Sequence, residues 1–196
     1  NFFFTAHDVL ASSTSFCLHL LARHPDIQEE LARSLAELPA GSIDRRMLDD
    51  NELLGRVLCE ALRLFPGYAL FGRTTQADMP IGGYHVPRGT MLIISPFVIH
   101  RLERHYERAH TFDPDRWRGK SLIPGPVPSA QYMPFGAGAR GCLASHLAFP
   151  IMKTIVAQVL RGFRLSAKAG HEPRIAYWGT SFSENGLPVT ISRRAS

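Results

Sequence analysis

The chain has 196 residues, 45% of them apolar and 20% charged, proportions of one globular domain or part of a larger one, which exclude wholesale disorder. The longest apolar stretch, around Phe2–Leu21, is interrupted by His7, Asp8 and His19, so no transmembrane helix is expected. The formal net charge of +5 rests on 19 Arg and 3 Lys, without the basic block of a nucleic-acid-binding tail.

Cys17, Cys59 and Cys142 lie in three different segments. An odd number without framework spacing argues for a reducing compartment, and a cytoplasmic location is expected. The chain opens on Asn1-Phe2-Phe3-Phe4, which is unlike a secretory signal and reads as a helix cut in its middle, as in a fragment of a longer protein.

In chain order, residues 2–22 carry apolar groups at helical spacing and predict one long helix. It is broken at His24-Pro25, because the residue before a proline avoids the α region. Pro25 opens a second helix to about Leu38, ended by Pro39-Ala40-Gly41. A third runs from about Asn51 to Phe65, with Leu53, Leu54, Val57, Leu58, Ala61 and Leu62 as its apolar stripe. Short strands are predicted at Tyr68–Thr75, Met79–Val86 and Thr90–Ser95, with turns at Gly82-Gly83 and Pro87-Arg88-Gly89. From His100 to Tyr132 the chain is irregular, a length that in a compact domain marks functional segments. Leu143–Leu160 is apolar nearly all round and predicts a buried helix, kinked by Pro150; Phe163–Arg193 reads as short strands with a turn at Asn185-Gly186. There are no internal repeats.

Three segments carry chemistry. In Phe135-Gly136-Ala137-Gly138-Ala139-Arg140-Gly141-Cys142, a glycine-rich loop delivers a cysteine to the first turn of the predicted helix. Backbone N–H groups and the helix dipole there favour a thiolate, a soft metal ligand suited to an axial position on haem iron. The rival reading, a dinucleotide fingerprint on Gly136, Gly138 and Gly141, fails in context. Pro134 stands where a strand should precede, and no Asp or Glu lies between Asp115 and Glu172. A loop with an idle cysteine is the remaining alternative. Glu60-Ala61-Leu62-Arg63 puts two charges on one helical face, with Arg56 a turn earlier; in isolation it reads as a solvated ion pair. Phe112-Asp113-Pro114-Asp115-Arg116-Trp117 reads as an aromatic-anchored loop.

Together and in this order the three segments resemble the cytochrome P450 family of haem-thiolate monooxygenases. Phe135-x-x-Gly138-x-Arg140-x-Cys142 is similar to its cysteine-ligand loop, Glu60-x-x-Arg63 to its K-helix motif, and Pro114-Asp115-Arg116-Trp117 to the segment whose Arg116 completes a structural Glu–Arg–Arg triad. Residues 4–25 resemble the second part of the long I-helix. The resemblance implies a mainly α fold with small β-sheets, and that residues 1–196 are the C-terminal part of one such domain, with the N-terminal half absent. It also implies haem b (iron protoporphyrin IX), with Cys142 as axial ligand and Arg73, Arg140, Phe135, Gly138 and Ala144 around the cofactor. Tyr68, Ala69, Leu70, Phe71, Gly179, Thr180 and Ser181 would line a substrate pocket.

Several residues depart from the family pattern. Ala6 replaces the usual I-helix Gly and Val9 the usual Thr after the acid Asp8; Ala144 replaces a Gly after the cysteine. The catalytic acid is then Asp8, and Thr5, one turn before Val9, or a substrate hydroxyl would have to supply the missing hydrogen bond. His146, four residues after Cys142, is expected beside the haem edge, not as a zinc ligand. His100, His105 and His110 are expected on a surface loop.

The activity implied is insertion of one atom of dioxygen into a small, apolar organic substrate, with electrons from a separate acidic ferredoxin or flavoprotein reductase. The segment from Trp117 to Arg164, which carries only basic charges, would be its docking face. No nucleic-acid partner and no membrane segment within the chain are expected. Two other readings stand: a peroxide-using or rearranging member of the family, and a non-catalytic fragment that never holds haem.

Overall fold

Helix α1 (Phe2–Arg23) ends where Pro25 forbids a further helical residue before it, and Pro25 starts α2 (Pro25–Ala36) from the first-turn position it prefers. In this computed structural model residues 2–39, 44–120, 129–178 and 180–194 are described, with side chains from His7 onward except Trp178. A short helix absent from the sequence reading, α3 (Arg45–Asp50), is capped by the Asp44 carboxylate, which accepts from the Arg46 N–H at 3.3 Å. Helix α4 (Glu52–Leu64) is capped in the same way by Asn51, whose side chain accepts from the Leu54 N–H at 2.9 Å. Every residue of α4 from Leu54 to Leu64 is buried, so a stripe expected on one face became a helix enclosed on all sides.

The β structure is four two-stranded antiparallel pairs among the described residues. β1 (Phe71–Thr74) pairs β4 (Met91–Ile94), with Arg73 opposite Leu92. Between them β2 (Met79–Ile81) and β3 (Tyr84–Val86) form a hairpin at Gly82-Gly83, both at positive φ. Helix α5 (Pro96–Ile99) follows β4 and was also not foreseen; Ser95 caps it. The irregular stretch after it holds one 3-10 turn, Pro114–Trp117. Helix α6 (Ser145–Gly162) passes through Pro150 unbroken and leads into β5 (Phe163–Ala167), which pairs β8 (Val189–Arg193); β6 (Ile175–Trp178) pairs β7 (Thr180–Ser183).

The core is a single apolar cluster of α1, α2, α4 and α6, joined by Tyr106, Phe112, Trp117 and Leu165. Gln28, fully buried, stitches this cluster together. Its amide donates to the carbonyls of Leu21 and Leu165, both at 2.9 Å, and accepts from the Leu165 N–H at 2.9 Å. Glu29 beside it receives Arg194 and Arg164, whose hydrogen bonds hold its carboxyl down at about 2. Two expectations are corrected. Helix α6 starts at Ser145, so Cys142 sits three residues ahead of it, not in its first turn. Nor is α6 buried all round: Phe149, Met152, Val156 and Leu160 enter the core, whereas Leu147 is 55% exposed.

Candidate functional site

The cysteine loop is closed by its own backbone. The Cys142 N–H donates to the Phe135 carbonyl at 2.8 Å, Gly136 N–H to Met133 at 3.0 Å, and Gly141 N–H to Gly138 at 2.9 Å. Gly136 and Gly138 have φ of 73° and 66°, a region closed to most side chains. The glycines therefore serve this reversal; among the described residues no strand leads into them for a dinucleotide motif. The loop leaves Cys142 exposed as a free cysteine.

Cys142 faces a cleft of about 550 Å³, a volume typical of small-molecule and cofactor sites. One wall is α1, through Val9, Leu10 and Ser13; another is the exposed face of α6 with Ala144, Leu147, Ala148 and Ile151. The remaining lining comes from Leu62, Gly67, Tyr68, Phe71, Arg73, Pro96, Met133–Gly136 and Arg140. Leu147, Ala148 and Ile151, outside the core, thus line the cleft together with the core residue Met152, which helps explain why the helix reads as apolar on every side. Gly67 is required by close approach: a Cβ there would lie 2.4 Å from the Val9 Cγ1.

The Glu–Arg–Arg motif is not a solvated pair. Glu60 and Arg63 are fully buried. Arg63 forks onto Glu60, with Nε and Nη2 each at 2.8 Å, and its Nη1 donates to the carbonyls of His100 and Ala109, both at 2.7 Å. The Glu60 carboxylate also accepts from Arg116 Nε at 2.9 Å, from the Trp117 indole N–H at 2.9 Å, and from the Asp113 backbone N–H at 3.0 Å. One carboxylate therefore organises α4 and the irregular stretch. Arg56 pairs instead with Asp115 and Glu52.

His100 corrects the surface-loop expectation, for it is fully buried. Its Nε2 accepts from the Met133 N–H at 2.9 Å, so Nδ1 carries the proton and donates to the Arg63 carbonyl at 3.1 Å. Burial pushes its pKa down to about 3. This neutral imidazole ties α4 to the segment that leads into the cysteine loop. Spacing by five among three histidines concealed it, since burial came from the tertiary fold. His105 is half-buried, and His110 and His146 are exposed; none of the three lines the cleft.

Of the remaining expected site residues, the cleft gathers Cys142, Arg140, Arg73, Phe135, Ala144, Tyr68 and Phe71, while Gly138 shapes the loop behind it. Asp8 does not join them: its side chain is 68% exposed and meets the His7 ring at 3.1 Å, while its neighbour Val9 faces the cleft. Leu70 is exposed and Ala69 buried, the latter's carbonyl accepting from Ser95 Oγ at 2.8 Å. Ser181 is 1% exposed and its hydroxyl donates to the Pro66 carbonyl at 2.7 Å, an anchor instead of a pocket wall; half-buried Thr180 is likewise not among the lining residues. Gly179 and the Thr5 side chain lie outside the described residues. The basic segment is thinner than its sequence: Lys153 is buried against Asp49, Arg118 pairs with Asp115, and Arg164 with Glu29.

A helix-walled cleft ending in a loop-borne cysteine, beside a buried carboxylate–guanidinium hub, defines the haem-thiolate architecture. The family model for cytochrome P450 matches residues 1–190, and the chain belongs to that family. It is 34% identical to cytochrome P450 4d2 of Drosophila melanogaster over 99% of its length, and 35% identical to cytochrome P450 714D1 of Oryza sativa over 98%. It spans only 39% and 35% of those relatives. Two solved structures share the fold. The cytochrome P450DA heme domain has a TM-score of 0.88 at 24% identity, covering 99% of this chain and 43% of that one. The retinoic acid-bound cyanobacterial CYP120A1 has a TM-score of 0.87 at 26% identity, covering 97% and 44%.

The donor set fits an iron porphyrin: one accessible sulfur, two guanidinium groups for carboxylates, and apolar walls elsewhere. Among the described residues no group of three or more His, Cys, Asp or Glu could hold a metal ion by itself. No helix among them is long and apolar enough to cross a membrane.

Proposed function

We propose that the chain carries the haem-ligating part of a monooxygenase that inserts one atom of dioxygen into an apolar organic substrate. The observation that carries this reading is Cys142, presented by a closed loop to an apolar cleft that also receives Arg73 and Arg140. Cys142 would hold the iron of haem b through its sulfur, and the two arginines would pair with the cofactor's carboxylates. When bound, the cofactor supplies reductive activation of dioxygen.

The protein's own part is to hold and to exclude. The Phe135 carbonyl fixes the Cys142 backbone, and the glycine turn keeps side chains away from the sulfur. Val9, Leu10, Leu147 and Ile151 give the cleft apolar walls, and the lower local polarity strengthens the electrostatic contacts made inside it. Tyr68 and Phe71 stand where an apolar substrate would pack. Electrons would come from an acidic ferredoxin or a flavoprotein reductase. With Lys153, Arg118 and Arg164 already paired and Arg140 turned to the cleft, docking would fall to Lys120 and Arg161, and reduction should slow as salt rises.

The test is the carbon monoxide difference spectrum of the reduced, haem-loaded full-length protein that contains this chain. Thiolate ligation gives a strongly red-shifted Soret band; Cys142→Ala should abolish it, and a band that survives overturns the assignment. A second reading, a member that takes peroxide in place of dioxygen and electrons, is favoured by Asp8 turning to solvent and by Val9 facing the cleft with no hydrogen-bonding group. Turnover driven by peroxide and not by NAD(P)H with redox partners would select it.

A further inference from the structure

Three hydroxyl residues follow one another on α1, and two of them are satisfied by backbone. Ser12 donates to the Ser181 carbonyl, and Thr14 returns to the Leu10 carbonyl at 2.7 Å, as hydroxyls in helices commonly do. Ser13 between them is 4% exposed, lines the cleft, and makes no side-chain hydrogen bond with any described residue. Its oxygen is not sealed in the core but opens onto the cleft, so a partner for it has to come from what the cleft holds.

The surroundings narrow where that partner comes from. Ser13 Oγ lies against Gly67, 3.3 Å from where a Cβ would sit there. The neighbouring acceptors already have donors: the Gly67 carbonyl takes the Ser181 N–H at 3.0 Å, and the Pro66 carbonyl takes the Ser181 hydroxyl at 2.7 Å. The nearby lining, Val9, Leu10 and Leu62, offers no polar side-chain atom. The open direction is the cleft itself.

We propose that Ser13 is a ligand-anchoring residue whose hydroxyl hydrogen-bonds an oxygen inside the cleft, either a bound water or an alcohol or carbonyl oxygen of the substrate. It would thereby place on α1, one turn beyond Val9, the polar group that Val9 lacks. This rests on reading the cleft as the haem and substrate site.

Ser13→Ala removes only the hydroxyl from a buried position, so the variant should fold. The probes are adamantane and 1-adamantanol, a hydrocarbon and its alcohol of one shape, titrated into the haem-loaded ferric full-length protein that contains this chain and followed by the Soret shift on binding. If the partner is a substrate oxygen, Ser13→Ala weakens 1-adamantanol by about tenfold and leaves adamantane unchanged. If it is a water that ligands displace, adamantane binds more tightly in the variant, because the water is no longer held. Equal affinities of both probes for both proteins would overturn the inference. The carbon monoxide band separates the two levels: its presence with no Ser13 effect defeats this inference alone, and its absence in the unaltered protein defeats both.

Discussion

At the scale of single residues, two buried imidazoles make the fold acid-sensitive. His100 has its pKa lowered to about 3 from 6.5, and His19, buried with neither ring nitrogen hydrogen-bonded to a described residue, is lowered by its own desolvation and by Arg23. The folded state excludes a proton that the unfolded chain binds below about 6.5. Their contribution is therefore complete above that value and is lost progressively as the pH falls, in the case of His100 down toward 3. Thermal melts between pH 7 and pH 4 should show a falling midpoint, and His100→Gln, which keeps a donor and an acceptor but does not titrate, should flatten part of that fall. His100→Ala should cost about 1–3 kcal/mol for each group it orphans, the Met133 N–H and the Arg63 carbonyl. None of this was legible in the sequence, where a histidine in an irregular stretch carries no sign of burial.

At the scale of elements, two contacts set how α4 and α1 hold their neighbours. Glu60→Ala should leave Arg63 and Arg116 facing each other unpaired, at a cost of about 3–5 kcal/mol. Denaturant melts together with haem content would check it, because loss of activity at full haem content and unchanged stability contradicts a structural role. Gly67→Ala forces a methyl onto Val9 Cγ1 and should destabilise by about 1–3 kcal/mol; Val9→Ala in the same chain should recover part of the loss. The sequence announced the elements at their punctuation, with Pro25, Asn51, Pro66 and Gly82-Gly83 at or beside the observed boundaries. It hid what happens between them. The E-x-x-R spacing is the same for a surface pair and for a buried hub, and only the long-range return of Arg116, Trp117 and Asp113 tells them apart.

At the scale of the molecule, the cleft's motifs were readable because cysteine, glycine and arginine stand close in sequence, while its walls were not. Leu147, Ala148 and Ile151 recur at helical spacing, a pattern that signals an apolar face without saying whether protein or ligand covers it. The place of Asp8 was hidden for a related reason: one residue along a helix turns a side chain by about 100°, so Val9 faces the cleft and its neighbour faces water. Leu143 is 97% exposed beside Cys142 and Leu147 55%. Expressed by itself, the 196-residue chain should self-associate and take up haem poorly; a monomer with stoichiometric haem on size-exclusion chromatography would contradict this.

The hub around Glu60 also governs which amides open to solvent. Irregular segments ordinarily exchange their amide hydrogens quickly, through small local openings. Here the Asp113 N–H is held by a fully buried carboxylate, and freeing it would strand that charge without its partners. The stretch from Ala109 to Trp117 should therefore have no cheap opening of its own. Its Asp113 amide is expected to exchange as slowly as those of α4 and to share their denaturant dependence. An element without regular secondary structure would then belong to the slowest-opening unit of the protein, held there by one carboxylate fifty-three residues away.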